Sequence, residues 1–347
     1  MNPFDTRNPF MTGYIKGAEA RVVTADHLNR MMKASGMKDL LVIIRDTHIG
    51  QYLEEKALKN FDEADEDLWR YLGECCQALQ ALKQLPREMR RFLEVFLNKY
   101  DVANIRAALH GLATGKPIRT IPLGSLHDLG RLGDLSAAAD AQGIAALLDE
   151  CRLGPYASIV REYRPEEEAH TRLRMEARLY REYYRWLMKA AHENDRSALM
   201  ARAFGVSIDL TNLQMMSRAL IAEWGTLASE ETIEGGQNLS AEMMRELPQL
   251  KLAEIPGRLE GTPYREAAEE IVSGYTASKD AGVIEETVEK HRFRLIREML
   301  SQKLLSPVLI GWYLTLKEVE VRNVRLLLKA MFDNVPLEGI RTRLVSV

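Results

Sequence analysis

One short pattern occurs three times in this chain, and it limits the possible folds more than any other feature. The copies read "YDVANIRAALHGL", "IDLTNLQMMSRAL" and "VEVRNVRLLLKAM". Each sets an asparagine (Asn104, Asn212, Asn323) among strong helix formers, three residues after an acid (Asp101, Asp209, Glu320). An aliphatic residue follows each asparagine: Ile105, Leu213 and Val324. The asparagines lie 108 and 111 residues apart. A second landmark keeps the same order: Tyr52 in "IGQYLEE", Tyr156 in "LGPYASI" and Tyr264 in "GTPYREA", at intervals of 104 and 108. Each tyrosine precedes its asparagine by 52, 56 or 59 residues. Two landmarks with one spacing predict a triplicated unit, too long for a short-repeat solenoid. The expected organisation is three helical repeat units: residues 1–117, 118–230 and 231–347.

The class of each unit is set by what fills the space between landmarks. Leu, Ala, Arg, Glu and Met are abundant, aromatic residues make up 7%, and β-branched alternation is nearly absent, which predicts an all-α fold. Within a unit the reading is short helices, a turn at the tyrosine, a long helix, then the asparagine helix. The long helices are "DEDLWRYLGECCQALQALKQL", "TRLRMEARLYREYYRWLMKAAHEN" and "IEETVEKHRFRLIREMLSQKLL". In the second, Leu173, Met175, Leu179, Tyr183, Trp186 and Leu187 mostly follow i, i+3/i+4 spacing, with Arg and Glu between. Pro155 and Pro263 fix φ where a helix can begin. The acidic run "DEADEDLWR" suits a helix N-terminus, where carboxylates meet the positive end of the dipole. Breaker-rich links run from Gly111 to Gly124 and from Glu223 to Ser240.

An asparagine inside a helix needs a reason, because its amide competes for backbone hydrogen bonds. Asp101 and Asp209 are expected to N-cap the asparagine helix by accepting the N–H three residues on. Glu320 does not fit that scheme, since its helix is expected to start at Thr315–Glu318, which has capping-box spacing. The role common to all three is a buried amide that bonds a neighbouring helix or loop and fixes its register. Direct contact with a partner is the alternative.

The chain offers little chemistry. Net charge is −3, and the arginines at 172, 174, 178 and 181 alternate with glutamate, so no one-sided basic stripe marks nucleic acid. Cys75, Cys76 and Cys151 lack the spacing of a disulfide framework or zinc site and read as buried thiols. The seven histidines form no His-x-x-x-His pair, so neither a metal nor a cofactor is expected. "GLATGKP" is not a phosphate loop: Gly111 and Gly115 stand too close together and Pro117 occupies the Ser/Thr place. Tyr275 and Lys279 match the Tyr-x-x-x-Lys pair of short-chain dehydrogenases, but no dinucleotide-binding strand–turn–helix precedes them. Paired methionines, such as Met215-Met216, read as core filler. The amino-terminal residues do not read as a signal peptide, and the apolar stretch Pro307–Leu316 is far shorter than a membrane span.

The segment "LKEVEVRNVRLLLKAMFDNVPLEGIRTRLV", Leu316 to Val345, resembles the ending of the C subunit of the V-type/A-type ATP synthase, whose eukaryotic counterpart is the d subunit of the V-ATPase. "YDVANIRAALHGLATGKP", "GGQNLS" and "LEGTPY" are similar to that family in the same order and span most of the chain. The amino terminus departs: the family opens Tyr-x-x-Ala-Arg-Val, whereas here Ala20-Arg21-Val22 comes three residues later after Tyr14. The resemblance implies three similar helical domains with pseudo-threefold symmetry, in a funnel. It also implies a non-catalytic rotor subunit in the central stalk, at the cytoplasmic face, that binds the D and F subunits of the stalk. The membrane is reached only through the proteolipid (c/K/L-type) ring, and torque passes through the chain between ATP turnover and ion transport. Which residues touch stalk or ring is not implied. An unrelated soluble helical-repeat scaffold is the alternative, and a cryptic hydrolase or dehydrogenase is the third reading.

Overall fold

The computed structural model describes residues 7–53, 60–164, 169–194 and 198–346. Among them the regular structure is helical, without strands. The α-helices are α1 (Arg7–Glu19), α2 (Ala25–Met31), α3 (Met37–Ile44), α4 (Phe61–Ala81), α5 (Arg87–Thr114), α6 (Ser125–Asp128) and α7 (Leu132–Ala137). They continue with α8 (Ala141–Glu150), α9 (Gly154–Arg161), α10 (Ala169–Asn194), α11 (Leu199–Ile221), α12 (Gly225–Glu230) and α13 (Ala241–Glu246). The last are α14 (Ile255–Arg258), α15 (Arg265–Ser278), α16 (Gly282–Leu300) and α17 (Leu309–Phe332). The chain forms two compact units, one of residues 1–90 with 293–347 and the other of residues 91–292.

Local chemistry explains where the helices begin. The Asn60 side chain accepts the Glu63 N–H at the start of α4, and Asp62 and Glu63 sit in its first turn, as expected for the acidic run. Asp140 caps α8 and Ser240 caps α13 in the same way. Thr24 and His27 form a reciprocal capping box at α2. Pro155 lies in the first turn of α9, where its missing N–H costs nothing.

Burial then separates two kinds of helix. In α4, Phe61, Ala64, Leu68, Tyr71, Leu72, Cys75, Cys76 and Leu79 form one buried stripe, an amphipathic face. By contrast, α11 and α17 are buried around nearly their whole circumference, Asp209, Asn212, Glu320 and Asn323 included. In the first unit α17 packs on α1 and α4, and in the second α11 packs on α10 and α12. A polar side chain on such a helix meets protein whichever way it points.

The structure corrects two expectations. Asp101 and Asp209 lie in the interiors of α5 and α11, so neither N-caps the helix that carries it. The α17 helix starts at Leu309, more than a turn before Thr315, and the Thr315 hydroxyl bonds the Gly311 carbonyl instead of capping. The decoys find plain places. Gly111–Pro117 runs off the end of α5, while Tyr275 lies within α15 and Lys279 at its left-handed C-cap.

Candidate functional site

The three asparagines do the same thing in all three places. Asn104 donates through Nδ2 to the Ile121 carbonyl at 2.9 Å and accepts the Ile121 N–H through Oδ1 at 2.7 Å. Asn212 holds Ile233 by the same two bonds, at 2.8 and 2.9 Å. Asn323 holds Val345, at 2.7 and 3.0 Å. A carboxamide carries the donor and acceptor of a peptide group, so it can pair with one backbone residue as a neighbouring strand would. Aspartate lacks the donor and leucine lacks both. The register-fixing role therefore accounts for a residue that helix propensity disfavours.

One turn earlier, each acid collects the N–H groups of a chain segment leading into a short helix. Asp101 accepts from Ser125 and Leu126, both at 2.9 Å, at the start of α6. Through Oδ2, Asp209 accepts from Gln237, Asn238 and Leu239 at 2.9, 2.7 and 3.3 Å, just before Ser240 caps α13. Glu320 accepts the Val23 N–H at 2.8 Å, just before Thr24 caps α2. Asp101 thus caps α6 from a distant helix, while Asp209 and Glu320 hold the backbone just ahead of helices that Ser240 and Thr24 cap. Each acid and asparagine together clamp irregular backbone at two points. The bound residues at 121–126 and 233–239 fall in or beside the breaker-rich links, which are anchored there and not slack.

Close approach demands glycine in two of the clamps. Gly124 has φ +93°, and a Cβ there would come within 2.6 Å of Asp101 Oδ1. Gly236 lies so near Asp209 Oδ1 that a Cβ would overlap it. At the third clamp the residue before the donor is Val22, and the acid is a glutamate, one methylene longer.

Two of the three acids also accept from a tyrosine, and only one of those tyrosines is a repeat landmark. Tyr264, at the start of α15, donates to Asp209 Oδ2 at 2.6 Å, and Asn238 Nδ2 steadies its hydroxyl at 3.1 Å. Tyr156 lies buried in α9, and its hydroxyl has no hydrogen-bond partner among the described residues. Tyr52 does not reach Glu320: its hydroxyl donates to Glu74 at 2.6 Å, and burial with that bond pushes its pKa up to about 12. Tyr71 on α4 takes the place instead, donating to Glu320 Oε2 at 2.6 Å. Lys317 completes the third clamp. Its ammonium donates to Glu320 at 2.9 Å and to the Tyr71 oxygen at 2.5 Å, with Lys317 and Glu320 both fully buried.

Electrostatics sets the cost of these clamps. Burial raises the Asp101 carboxyl to about 7, against the pull of the Leu126 and Ser125 N–H groups. Asp209 is raised too, again by burial, against its tyrosine and three backbone donors. Tyr71 and Tyr264 are pushed far up, first by burial and then by the facing carboxylate. Among the described residues, only the third clamp meets its carboxylate with a buried cation.

Sequence reading misses Tyr71, Lys317 and the clamped segments. Lys317 has a signal: it is a cation directly after the apolar stretch Pro307–Leu316, three residues before Glu320. Tyr71 has none beyond its place in the apolar stripe of α4. Among the described residues no group of three His, Cys, Asp or Glu side chains is placed to hold a metal ion, and no helix is long and apolar enough to cross a membrane. Cys75, Cys76 and Cys151 are free and buried. Clamps of this kind fix backbone and do no chemistry on a substrate.

Comparison with known proteins gives the family. Residues 11–343 match the ATP synthase (C/AC39) subunit family. The C subunit of the A-type ATP synthase of Thermococcus onnurineus is 24% identical over 94% of this chain and 87% of its own. That of Methanocaldococcus jannaschii is 24% identical over 97% and 86%, and that of Desulfurococcus sp. (strain SY) 25% over 94% and 87%. Each of these relatives is named as a subunit of an A-type ATP synthase. With nearly its whole length matched, the chain belongs to the ATP synthase (C/AC39) subunit family.

Proposed function

We propose that this protein is the socket that joins the central stalk of a V/A-type ATP synthase to its membrane ring and carries torque between them. Its partners on this reading are the D and F subunits of the stalk on one side and the proteolipid ring on the other, at the cytoplasmic face of the membrane. The clamp on α17 carries the proposal. Glu320 holds Val23 and Asn323 holds Val345, so one buried helix fixes segments from distant parts of the sequence. A part that transmits torque must not yield where its elements join, and a hydrogen-bonded clamp stiffens such a joint more than apolar contact alone. The same device on α5 and α11 supports three repeats of one design, as the spacing of the sequence suggests.

Binding tests the proposal. The purified chain should co-purify with the D/F stalk and with the detergent-solubilised proteolipid ring. Binding to neither would overturn the socket role and leave only the family membership standing.

A further inference from the structure

The turn between α16 and α17 leaves two leucines in water. Leu304 is 54% exposed and Leu305 59%. Nothing in the fold requires this. The turn between α4 and α5, "LKQLP" against "KLLSP" here, puts Gln84 outward and buries Leu85 to 4% exposure. Leu305 also has φ +58°, a left-handed conformation that a leucine adopts only when its surroundings enforce it. The enforcement comes from α1: the Leu305 N–H donates to the Thr12 hydroxyl at 3.0 Å, and Lys16 donates to the Ser301 carbonyl at 3.3 Å. Phe10, two residues from Thr12 on α1, is 42% exposed. Beside the leucines Lys303 is exposed, and Arg297 is exposed one turn before Ser301; neither has an acidic partner among the described residues.

We infer that Leu304 and Leu305 form a rigid knob that docks into another subunit of the complex, in an apolar recess rimmed by carboxylates. The inference rests on the rotary-subunit reading and names a contact that reading leaves open. Charge chooses the rim: the exposed Lys303 adjoins the apolar tip, and carboxylates opposite it would steer and orient docking. The pinned backbone chooses a protein over a lipid surface. A fluid bilayer gains nothing from a fixed turn, whereas a pocket gains from a side chain held in its bound geometry. A few well-packed side chains carry most of the energy of such contacts.

Binding of the chain to the complex stripped of it supplies the test. Serine at both leucines (L304S with L305S) should weaken binding at least tenfold, about 1.4 kcal/mol, without changing the circular dichroism spectrum. Lys303→Glu should weaken it separately and reduce its dependence on salt. If the unaltered chain binds and both variants bind equally well, the knob is not the contact, while the socket reading stands. If the unaltered chain does not bind at all, that reading falls and the knob with it. Loss of co-sedimentation with anionic phospholipid vesicles, with binding to the complex intact, would overturn the inference in favour of a lipid contact.

Discussion

Replacing Asn323 by alanine removes both partners of one buried backbone residue. Val345 is 2% exposed, and its N–H and carbonyl would each lose the partner the clamp gives them. A buried polar group left unpaired costs about 1–3 kcal/mol, so two together cost roughly 2–6 kcal/mol. The threefold recurrence supplies the control. Ile233, held by Asn212, is also 2% exposed, so Asn212→Ala should cost about as much. Ile121, held by Asn104, is only half-buried, so water can replace the amide and Asn104→Ala should cost about 1–2 kcal/mol. Urea denaturation of the three variants gives the order, and native-state exchange of the Ile121, Ile233 and Val345 amides reports where each opens. For units of this size each kcal/mol also lowers Tm by about 2–4 °C. Equal small losses below about 0.5 kcal/mol, or the largest loss at Asn104, would refute the clamp as the reason for these asparagines.

Two other perturbations read the acids. Glu320→Gln leaves the Lys317 ammonium buried beside a neutral amide, and should cost about 3–5 kcal/mol. Adding Lys317→Met should recover part of that loss, and purely additive costs in the double-mutant cycle would contradict direct pairing. Asp101 predicts a pH dependence. Its carboxyl sits near pH 7 when folded, above its ordinary range, so the folded chain keeps a proton that the unfolded chain releases. Its contribution is therefore complete in acid and declines as pH rises towards about 7, by at most about 1.4 kcal/mol per unit. Comparing urea midpoints of the native chain and Asp101→Asn from pH 5 to pH 8 should show a smaller decline in the variant. An identical decline would place the titration elsewhere.

Much of this is legible in the residues, for physical reasons. An asparagine in a helix and an acid one turn before it are locally unfavourable, so three occurrences at matched spacing require a use for them. What the residues misplace is the direction in which the acids act. Asp101 and Asp209 look like local caps because sequence shows only neighbours in the chain, whereas their donors lie 24 to 30 residues downstream. Glu320 acts at still longer range, on Val23. The start of α17 goes astray for a related reason. Thr315 has capping-box spacing, but burial of Leu309–Leu314 extends the helix past it. Tyr52 matches its counterparts by spacing, yet Tyr71 supplies the phenol, since distance along the chain does not decide which ring reaches a buried carboxylate. The starts of α4 and α9 come out correctly because capping and proline placement depend only on adjacent residues.

ATP-driven ion pumping by the assembled enzyme, with and without this chain, tests the coupling role most directly. The account predicts that the soluble head lacking the chain still hydrolyses ATP while membrane vesicles pump no ions, and that adding the chain back restores pumping. Ion transport that persists in its absence would contradict it.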